Sequence, residues 1–199
     1  MNKILVIGTG SIGKRHISNF SKFFDKIDIS DLPIYIRGEK GISYLPQEPS
    51  IFRGMNVEDN IMSIIEIIEN DKSKHNIILE NLLNEFDITH VRKSKSIVLS
   101  GGERRLLEIS RALVMRPSIL LVDEPSIGLE PRYIEMVFEI LDDLQKNEKK
   151  TIIMVEQNAK KGLEFADIGY VLVSGQTAIV GKGNDLLKNP DVGRLFLGG

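Results

Sequence analysis

A fully apolar segment that ends in two carboxylates constrains this chain most. Residues 119–122, Ile-Leu-Leu-Val, carry no polar side chain and are followed at once by Asp123 and Glu124. A strand without alternating polar positions must be covered on both faces, which is typical of the parallel sheets of α/β proteins. In open sheets of that kind, ligands bind at the carboxyl ends of the strands. The segment therefore predicts an α/β fold with Asp123 and Glu124 at a ligand-binding edge.

The rest of the chain alternates between short apolar segments and amphipathic ones, which predicts a mostly parallel sheet with helices on both faces. A long helical block interrupts the alternation and predicts a helical subdomain over about residues 49–110. The predicted strands are 4–7, 26–30, 41–45, 119–122 and 151–155, with a hairpin of 169–173 and 177–180. The predicted helices are 14–24, 57–69 and 77–86, one marked by Leu106, Ile109 and Leu113, and one over 134–144.

Composition excludes several classes of function. The 199 residues are 42% hydrophobic and 27% charged, which is enough for one domain with a substantial core. The net charge of −2 gives no bulk attraction for nucleic acid, so no nucleic-acid partner is expected. The chain has no cysteine, which excludes disulfides and thiolate sites, and its three histidines have no metal-ligand spacing.

The segment Ser100-Gly101-Gly102-Glu103 opens a helix and has two interpretations. Serine followed by glutamate three residues later is a capping box, which satisfies free N–H groups at a helix start. That leaves the two glycines unexplained, and each costs roughly 1 kcal/mol in a helical turn. Glycines at a helix N-terminus let an anion approach the backbone, so anion binding is the second interpretation. The charged run that follows, ERRLLEISR, is predicted to be solvated or to face a partner.

Residues 99–131, LSGGERRLLEISRALVMRPSILLVDEPSIGLEP, resemble the signature motif, Walker B strand and D-loop of ABC-transporter ATPases. The resemblance extends over about residues 32–199, because GISYLPQEPSIF is similar to the Q-loop strand and TIIMVEQNA to the switch strand. The C-terminal part is most similar to the ATPases of branched-chain amino-acid importers, and the central part to the lipopolysaccharide-export ATPase. The resemblance implies a P-loop NTPase sheet of the RecA-like type.

The resemblance also implies a catalytic set for ATP hydrolysis with Mg²⁺. Asp123 would bind Mg²⁺, and Glu124 would orient the attacking water and act as general base. Gln47, the Q-loop glutamine, would sense Mg²⁺ and water and couple to a membrane permease. Gln157 would lie near the γ-phosphate, at the switch position where most of the family has histidine. Such catalysis depends on positioning and charge stabilisation, so these groups must meet around one phosphate chain.

A second subunit follows from the same resemblance. Ser100, Gly101 and Gly102 would contact the γ-phosphate of ATP held by another copy or by a related subunit, in a homodimer or heterodimer. Separate transmembrane permease chains would carry the solute. The protein is then expected in the cytoplasm, peripheral to the inner face of the cell membrane.

The N-terminal glycine loop matches the phosphate-binding Walker A motif incompletely. That motif is G-x-x-x-x-G-K-[ST]. Gly8, Gly13 and Lys14 match it, whereas Arg15 stands where a serine or threonine should ligate Mg²⁺. The antiparallel segment that carries the adenine-stacking aromatic in the family is also not found before the first strand. Hydrolysis by this chain is therefore expected to be impaired.

The same loop also fits a dinucleotide-binding fingerprint. Gly8, Gly10 and Gly13 form G-x-G-x-x-G after a strand, and Asp31 follows at the distance of a ribose-binding acid. Residues 1–31 resemble the N-terminus of Gfo/Idh/MocA oxidoreductases, which implies NAD(P) as an alternative cofactor. The chain then reads as a chimera, with a Rossmann-like βαβ start over 1–31 in place of the usual first strands and an ABC ATPase-like domain over 32–199. A non-hydrolysing recombinant or remnant fold and an NAD(P)-binding protein remain the alternatives to a working ATPase subunit.

Arg15 provides a direct test of these hypotheses. We expect Arg15→Ser to raise the affinity for Mg·ATP by about tenfold, because the hydroxyl restores a metal ligand that arginine cannot supply. Calorimetric titration with ATP, with and without Mg²⁺, measures the change. Tighter binding of NADH than of ATP by the unchanged protein would contradict the ATPase interpretation.

Overall fold

Six strands form one sheet in the computed structural model, which describes residues 3–8, 32–174 and 176–194. In chain order they are β1 (Lys3–Gly8), β2 (Ile42–Leu45), β3 (Ile119–Asp123), β4 (Thr151–Val155), β5 (Ile168–Val173) and β6 (Gln176–Lys182). Their order across the sheet is β2-β3-β4-β1-β5-β6. All pairings are parallel except that of β5 with β6, the predicted hairpin. The prediction of a mostly parallel α/β sheet is confirmed.

The register brings the carboxyl ends of three strands to one level. Leu45 pairs with Val122, and Val122 pairs in turn with Met154. The residues that follow these three positions therefore emerge side by side at one edge of the sheet. The loops that begin at Pro46, Glu124 and Glu156 therefore start close to one another.

Strand β1 lies between β4 and β5, and both of its edges are hydrogen-bonded. In a dinucleotide-binding fold, the strand that follows the glycine loop and its helix pairs with the first strand. Within the described residues both edges of β1 are occupied, and the Rossmann-like start over residues 1–31 stays a prediction. The predicted helix 14–24 and strand 26–30 lie outside the described residues.

Eight α-helices and two 3₁₀ turns are present in the described ranges. The helices are α1 (Ile34–Glu39), α2 (Val57–Ile68), α3 (Lys72–Glu85), α4 (Gly101–Val114), α5 (Pro131–Lys146), α6 (Ala159–Phe165), α7 (Gly183–Leu187) and α8 (Pro190–Val192). The 3₁₀ turns are Thr89–Val91 and Ser96–Val98. Helix α3 begins five residues before its predicted start, because the side chain of Asp71 accepts a hydrogen bond from Ser73 N and caps it there. Helix α1 was not predicted from the sequence.

Helices α2 and α3 pack on each other, and α2 also packs on α4. Asn56 begins α2, because its side chain accepts a hydrogen bond from Asp59 N. The apolar faces of these helices meet in side chains that are fully buried: Val57, Ile61, Ile65, Leu83 and Phe86. These side chains belong to the same buried apolar cluster as those between the sheet and its helices, and α4 also packs on β2.

The main core lies between the sheet and its covering helices. Helix α5 buries Val137, Phe138, Leu141 and Leu144 along one side, as its spacing predicts. Most strand side chains beneath the helices are apolar, as in Ile152 and Met154, which are fully buried, whereas Ser43 of β2 donates a hydrogen bond to the carbonyl of Ala112 on α4. Within the part of the chain that the structure describes, no helix combines the length and the hydropathy needed to cross a bilayer.

The start of α7 offers a test of this packing. A Cβ atom at Gly183 would lie 2.3 Å from the backbone oxygens of both Leu163 and Ala166. We expect Gly183→Ala to lower the free energy of unfolding by about 2 kcal/mol, because backbone must move to admit the methyl group. Urea denaturation measures the loss.

Gly54→Ala is the matched control for that substitution, because nothing lies within 4 Å of a Cβ built at Gly54. Its effect should stay within about 0.5 kcal/mol. Equal stabilities for the two variants would mean that the close approach at Gly183 is absent.

Candidate nucleotide-binding site

The carboxylate of Glu124 lies between two glutamine side chains. Gln47 Nε2 donates a hydrogen bond to Oε2 at 3.0 Å, and Gln157 Nε2 donates to Oε1 at 2.7 Å. Glu124 itself is only 2% exposed, whereas both glutamines lie at the surface. Three residues that the sequence assigns to one site thus meet, one from each of the loops that follow β2, β3 and β4.

The backbone of Glu124 is fixed in an unusual conformation. Its φ is +42°, a left-handed value that costs a non-glycine residue about 1–3 kcal/mol. Its N–H donates to the carbonyl of Val155 at 2.8 Å, so the turn is tied to the end of β4. Strain of this kind is held by surrounding structure and is found at functional sites. The turn directs the side chain towards Gln157 and away from the strand axis.

The pKa of Glu124 is raised, first because burial disfavours the charged form. The negative charges of Asp123 and Glu156 raise the pKa further, while the hydrogen bond from Gln157 lowers it. A carboxylate that binds a proton more readily than usual is a better general base near neutral pH. The environment of Glu124 therefore suits the role that the resemblance implies.

Asp123 is half-buried and pairs with a side chain that the sequence does not single out. The hydroxyl of Tyr44 donates to Asp123 Oδ2 at 3.0 Å. Burial and the charge of Asp123 raise the pKa of Tyr44 to about 12, so the phenol stays protonated and remains a donor. The carboxylate is thereby oriented through Oδ2.

The donor set at this edge fits Mg²⁺ bound together with a nucleotide. Among the described residues, no three His, Cys, Asp or Glu side chains lie close enough to hold a metal by themselves. Mg²⁺ is commonly held by one or two carboxylates, water and substrate phosphates, so such a cluster is not required. Asp123 supplies a carboxylate, and the side-chain oxygen of Gln47 is available because its nitrogen makes the bond to Glu124.

The signature segment is a capped helix end with one open glycine. Ser100 Oγ accepts from Glu103 N, and Glu103 Oε2 accepts from Ser100 N at 2.8 Å, so the predicted capping box is confirmed. Ser100 and Gly101 are exposed, whereas Gly102 is buried. A Cβ at Gly102 would lie 2.1 Å from Cγ of Tyr133, so the ring of α5 explains this glycine by packing. The predicted phosphate contact of Gly102 remains a prediction.

A cavity of about 200 Å³ joins the two parts of the site. Its lining includes Gln47 and Glu124 on one side and Gly101 on the other, with Arg105 and Glu108 between them. Gly8 is the last residue of β1. The remaining predicted binding residues, Gly10, Gly13, Lys14 and Asp31, lie outside the described residues.

Two charged residues of the run after the signature are buried, although the sequence predicts that the run is solvated or faces a partner. Arg105 and Glu108 are 6% and 5% exposed and form an ion pair at 3.1 Å. Their positions lie among the apolar residues of α4, and an arginine and a glutamate three apart on a helix is a pairing signal that the sequence contains. In the sequence, the more prominent signal is the glycine pair Gly101 and Gly102, which points to the start of the helix.

Glu156 is a second buried carboxylate that sequence analysis missed. It is 2% exposed and accepts hydrogen bonds from Ser126 N at 3.3 Å and Asn158 N at 2.8 Å. It therefore ties the loop after β3 to the turn that carries Gln157. Its position directly before Gln157 is the only sequence signal for this role.

Together, the place of β1 inside the sheet, the aligned carboxyl ends of β2, β3 and β4 and the hydrogen bonds of two amides to Glu124 are typical of an α/β protein that binds a ligand at this edge of the sheet. Comparison with known proteins agrees. The family model described as ABC transporter matches residues 15–127. An uncharacterised ABC transporter ATP-binding protein of Rhizobium meliloti is 41% identical over 171 residues, which are 86% of this chain and 63% of that protein.

Two further relatives match the two subfamilies that the sequence resembles. The lipopolysaccharide export system ATP-binding protein of Haemophilus influenzae is 35% identical over 87% of this chain and 72% of its own length. A probable branched-chain amino acid transport ATP-binding protein of Archaeoglobus fulgidus is 35% identical over 88% and 74%. Both subfamily resemblances are confirmed.

A solved structure shares the whole fold. The ADP conformation of an ATP-binding cassette of an ABC transporter aligns with 100% of this chain and 88% of its own, with a TM-score of 0.77 and 25% identity. The chain belongs to the ABC transporter family and has the P-loop NTPase fold. It spans less than two thirds of the Rhizobium relative. These comparisons give no support to NAD(P) binding or to a chimera with an oxidoreductase.

Tyr44 gives the site a measurable pH dependence. Its folded pKa of about 12 exceeds the ordinary value of 10.0, so its bond to Asp123 stabilises the fold fully below pH 10 and is lost as pH rises towards 12. We expect the difference in free energy of unfolding between the native protein and Tyr44→Phe to shrink above pH 10. Urea denaturation between pH 7 and 11 measures this difference.

Tyr35→Phe is the control, since Tyr35 is 65% exposed, and its effect should be small at every pH. A Tyr44→Phe difference that does not change with pH would show that the phenol is not the stabilising donor.

Proposed function

We propose that this chain is the ATP-binding subunit of an ABC transporter and that it hydrolyses ATP to drive solute through a separate permease. The observation that supports this most is the bonding of Gln47 and Gln157 to opposite oxygens of the Glu124 carboxylate. Family membership gives this arrangement its chemical meaning, because each of the three residues stands at a motif position of the ATPase.

Glu124 is proposed as the general base. Its raised pKa favours proton uptake from water, and the two amide donors hold the carboxylate in one orientation. Asp123 and the oxygen of Gln47 would hold Mg²⁺ together with the nucleotide phosphates, and the ion would neutralise charge that develops on them. Gln157 would then exchange its bond to Glu124 for one to the γ-phosphate, because an amide can donate to either.

A dimer is proposed as the working unit. Ser100 and Gly101 are exposed at the N-terminus of the fourteen-residue helix α4, where N–H groups suit a phosphate. A nucleotide on a second copy or a related subunit would dock there. The permease is proposed to contact the loop after Gln47, where Phe52 is 50% exposed and lies under the guanidinium of Arg111 at 4.9 Å. Such a partner would place the protein on the inner face of the cell membrane.

The incomplete Walker A motif affects the expected rate of hydrolysis. Arg15 replaces a hydroxyl ligand of Mg²⁺, so nucleotide affinity and turnover are expected to be lower than in chains with the full motif. The catalytic carboxylate and both amides are nevertheless in place. Weak hydrolysis is therefore the specific expectation.

Glu124→Gln tests the proposed base. We expect turnover of ATP to fall by about 10²–10⁴-fold, because the amide cannot accept the proton of the attacking water. Binding of Mg·ATP should persist, so a nucleotide-dependent dimer should accumulate in light scattering. Phosphate release under saturating ATP measures the rate.

Glu139→Gln is the matched control, since Glu139 is exposed on α5, and it should keep the native rate. Native turnover in Glu124→Gln would remove Glu124 from catalysis. Absence of any ATP binding by the native protein would overturn the proposed function.

A further inference from the structure

Two side chains on α4 form hydrogen bonds with the loop that carries Gln47. Arg105 Nη1 donates to the carbonyl of Pro46, the residue before Gln47, at 2.7 Å. Three residues further along the helix, Glu108 Oε1 accepts from Ser50 N at 3.2 Å. Loop 46–50 is therefore held at both ends by two side chains of the same helix.

The same arginine also holds the chain at the catalytic carboxylate. Arg105 Nη2 donates to the carbonyl of Asp123, the residue before Glu124, at 3.0 Å. One planar guanidinium thus bridges the backbone on either side of the bond between Gln47 and Glu124, which measures 3.0 Å. Because the planar fork presents its donors in fixed directions, the separation of these two backbone segments is fixed as well.

Because the Arg105–Glu108 pair is buried, we attribute it to the positioning of backbone groups. The side chains of Arg105 and Glu108 are 7% and 4% exposed. Removing such a pair from water costs about as much as its attraction returns, and apolar residues of similar size often give equal or greater stability. Stability alone does not account for a buried ion pair at this place, whereas the positions of three backbone groups do.

Helix α4 begins at the signature segment, and Arg105 lies about one turn from its exposed Gly101. We propose that the Arg105–Glu108 pair is a positioning device that couples the signature end of α4 to the alignment of Gln47 with Glu124. When a phosphate held by the partner subunit binds at Gly101, α4 would move. Because Arg105 is bonded to the residues before Gln47 and Glu124, that movement would change the positions of both. This inference rests on the proposed ATPase function.

The test replaces the pair with apolar residues of similar size. Arg105→Met with Glu108→Leu leaves no charge unpaired, so the double variant should fold with a native circular dichroism spectrum. We expect the KM for Mg·ATP to stay within about twofold of the native value while kcat falls at least about tenfold. Deuterium uptake over residues 46–50 and 123–127 should also be faster, which requires no turnover.

A second variant serves if the double variant does not fold. Arg105→Lys keeps the charge beside Glu108, but one ammonium group cannot reproduce the two fixed directions of the fork. Its kcat should fall severalfold at unchanged KM. The matched control is Arg92→Met with Glu58→Leu, an ion pair of 2.9 Å between α2 and the residue after the 3₁₀ turn Thr89–Val91, which touches neither Gln47 nor Glu124.

The outcomes separate this inference from the proposed function. Native kcat and native deuterium uptake in the double variant, or in Arg105→Lys if only that one folds, would overturn the inference and leave the ATPase proposal standing. No hydrolysis by the native protein would instead contradict the proposed function. Deuterium uptake alone then decides about the pair: faster uptake in either loop supports it and unchanged uptake overturns it.

Discussion

The level register of β2, β3 and β4 is the constraint on which the site depends. Leu45, Val122 and Met154 are paired across the sheet, so the loops that follow them leave it side by side. Backbone hydrogen bonds between parallel strands fix this alignment without any contribution from the catalytic side chains. A shift of one residue in β2 or β4 would reverse the faces of its side chains and carry Gln47 or Gln157 away from Glu124.

On this frame, the site consists of a carboxylate whose surroundings are held from several directions. Glu124 is turned by a left-handed backbone and covered by two amides, and Glu156 ties the adjoining loops together. Each contact is modest in water, but in a buried place unsatisfied groups are costly, so the network tends to form as a whole. The two glutamines are exposed, and each donates one hydrogen bond to Glu124. The carboxylate of Glu124 is thus buried and held from several sides, whereas the two glutamines that bond to it lie at the surface.

The fold and the motif residues could largely be predicted from the sequence. Four predicted strands and the hairpin are present, as are α2, α4 and α5 with their apolar faces, because periodicity and apolar runs report directly on burial. The roles of Arg105 and Glu108 could not be predicted in the same way. A charged residue on a helix is normally solvated, and only the partners supplied by Pro46, Ser50 and Asp123 make its burial possible. The packing of Gly102 against Tyr133 could not be predicted either, because the two residues are thirty-one positions apart in the sequence.

The sequence by itself determined the kind of sheet, the capped start of α4 and the acidic end of β3. These features depend on local propensity, on the period of apolar residues and on motifs with fixed spacing. The tertiary structure alone decided that β1 lies between β4 and β5, with both of its edges hydrogen-bonded. It also decided that Gln47, Glu124 and Gln157 meet. The pairing of β1 joins segments more than one hundred residues apart, and the contacts of Glu124 with Gln47 and Gln157 span 77 and 33 residues. No local pattern encodes which distant segment will occupy the edge of a strand or reach a given side chain.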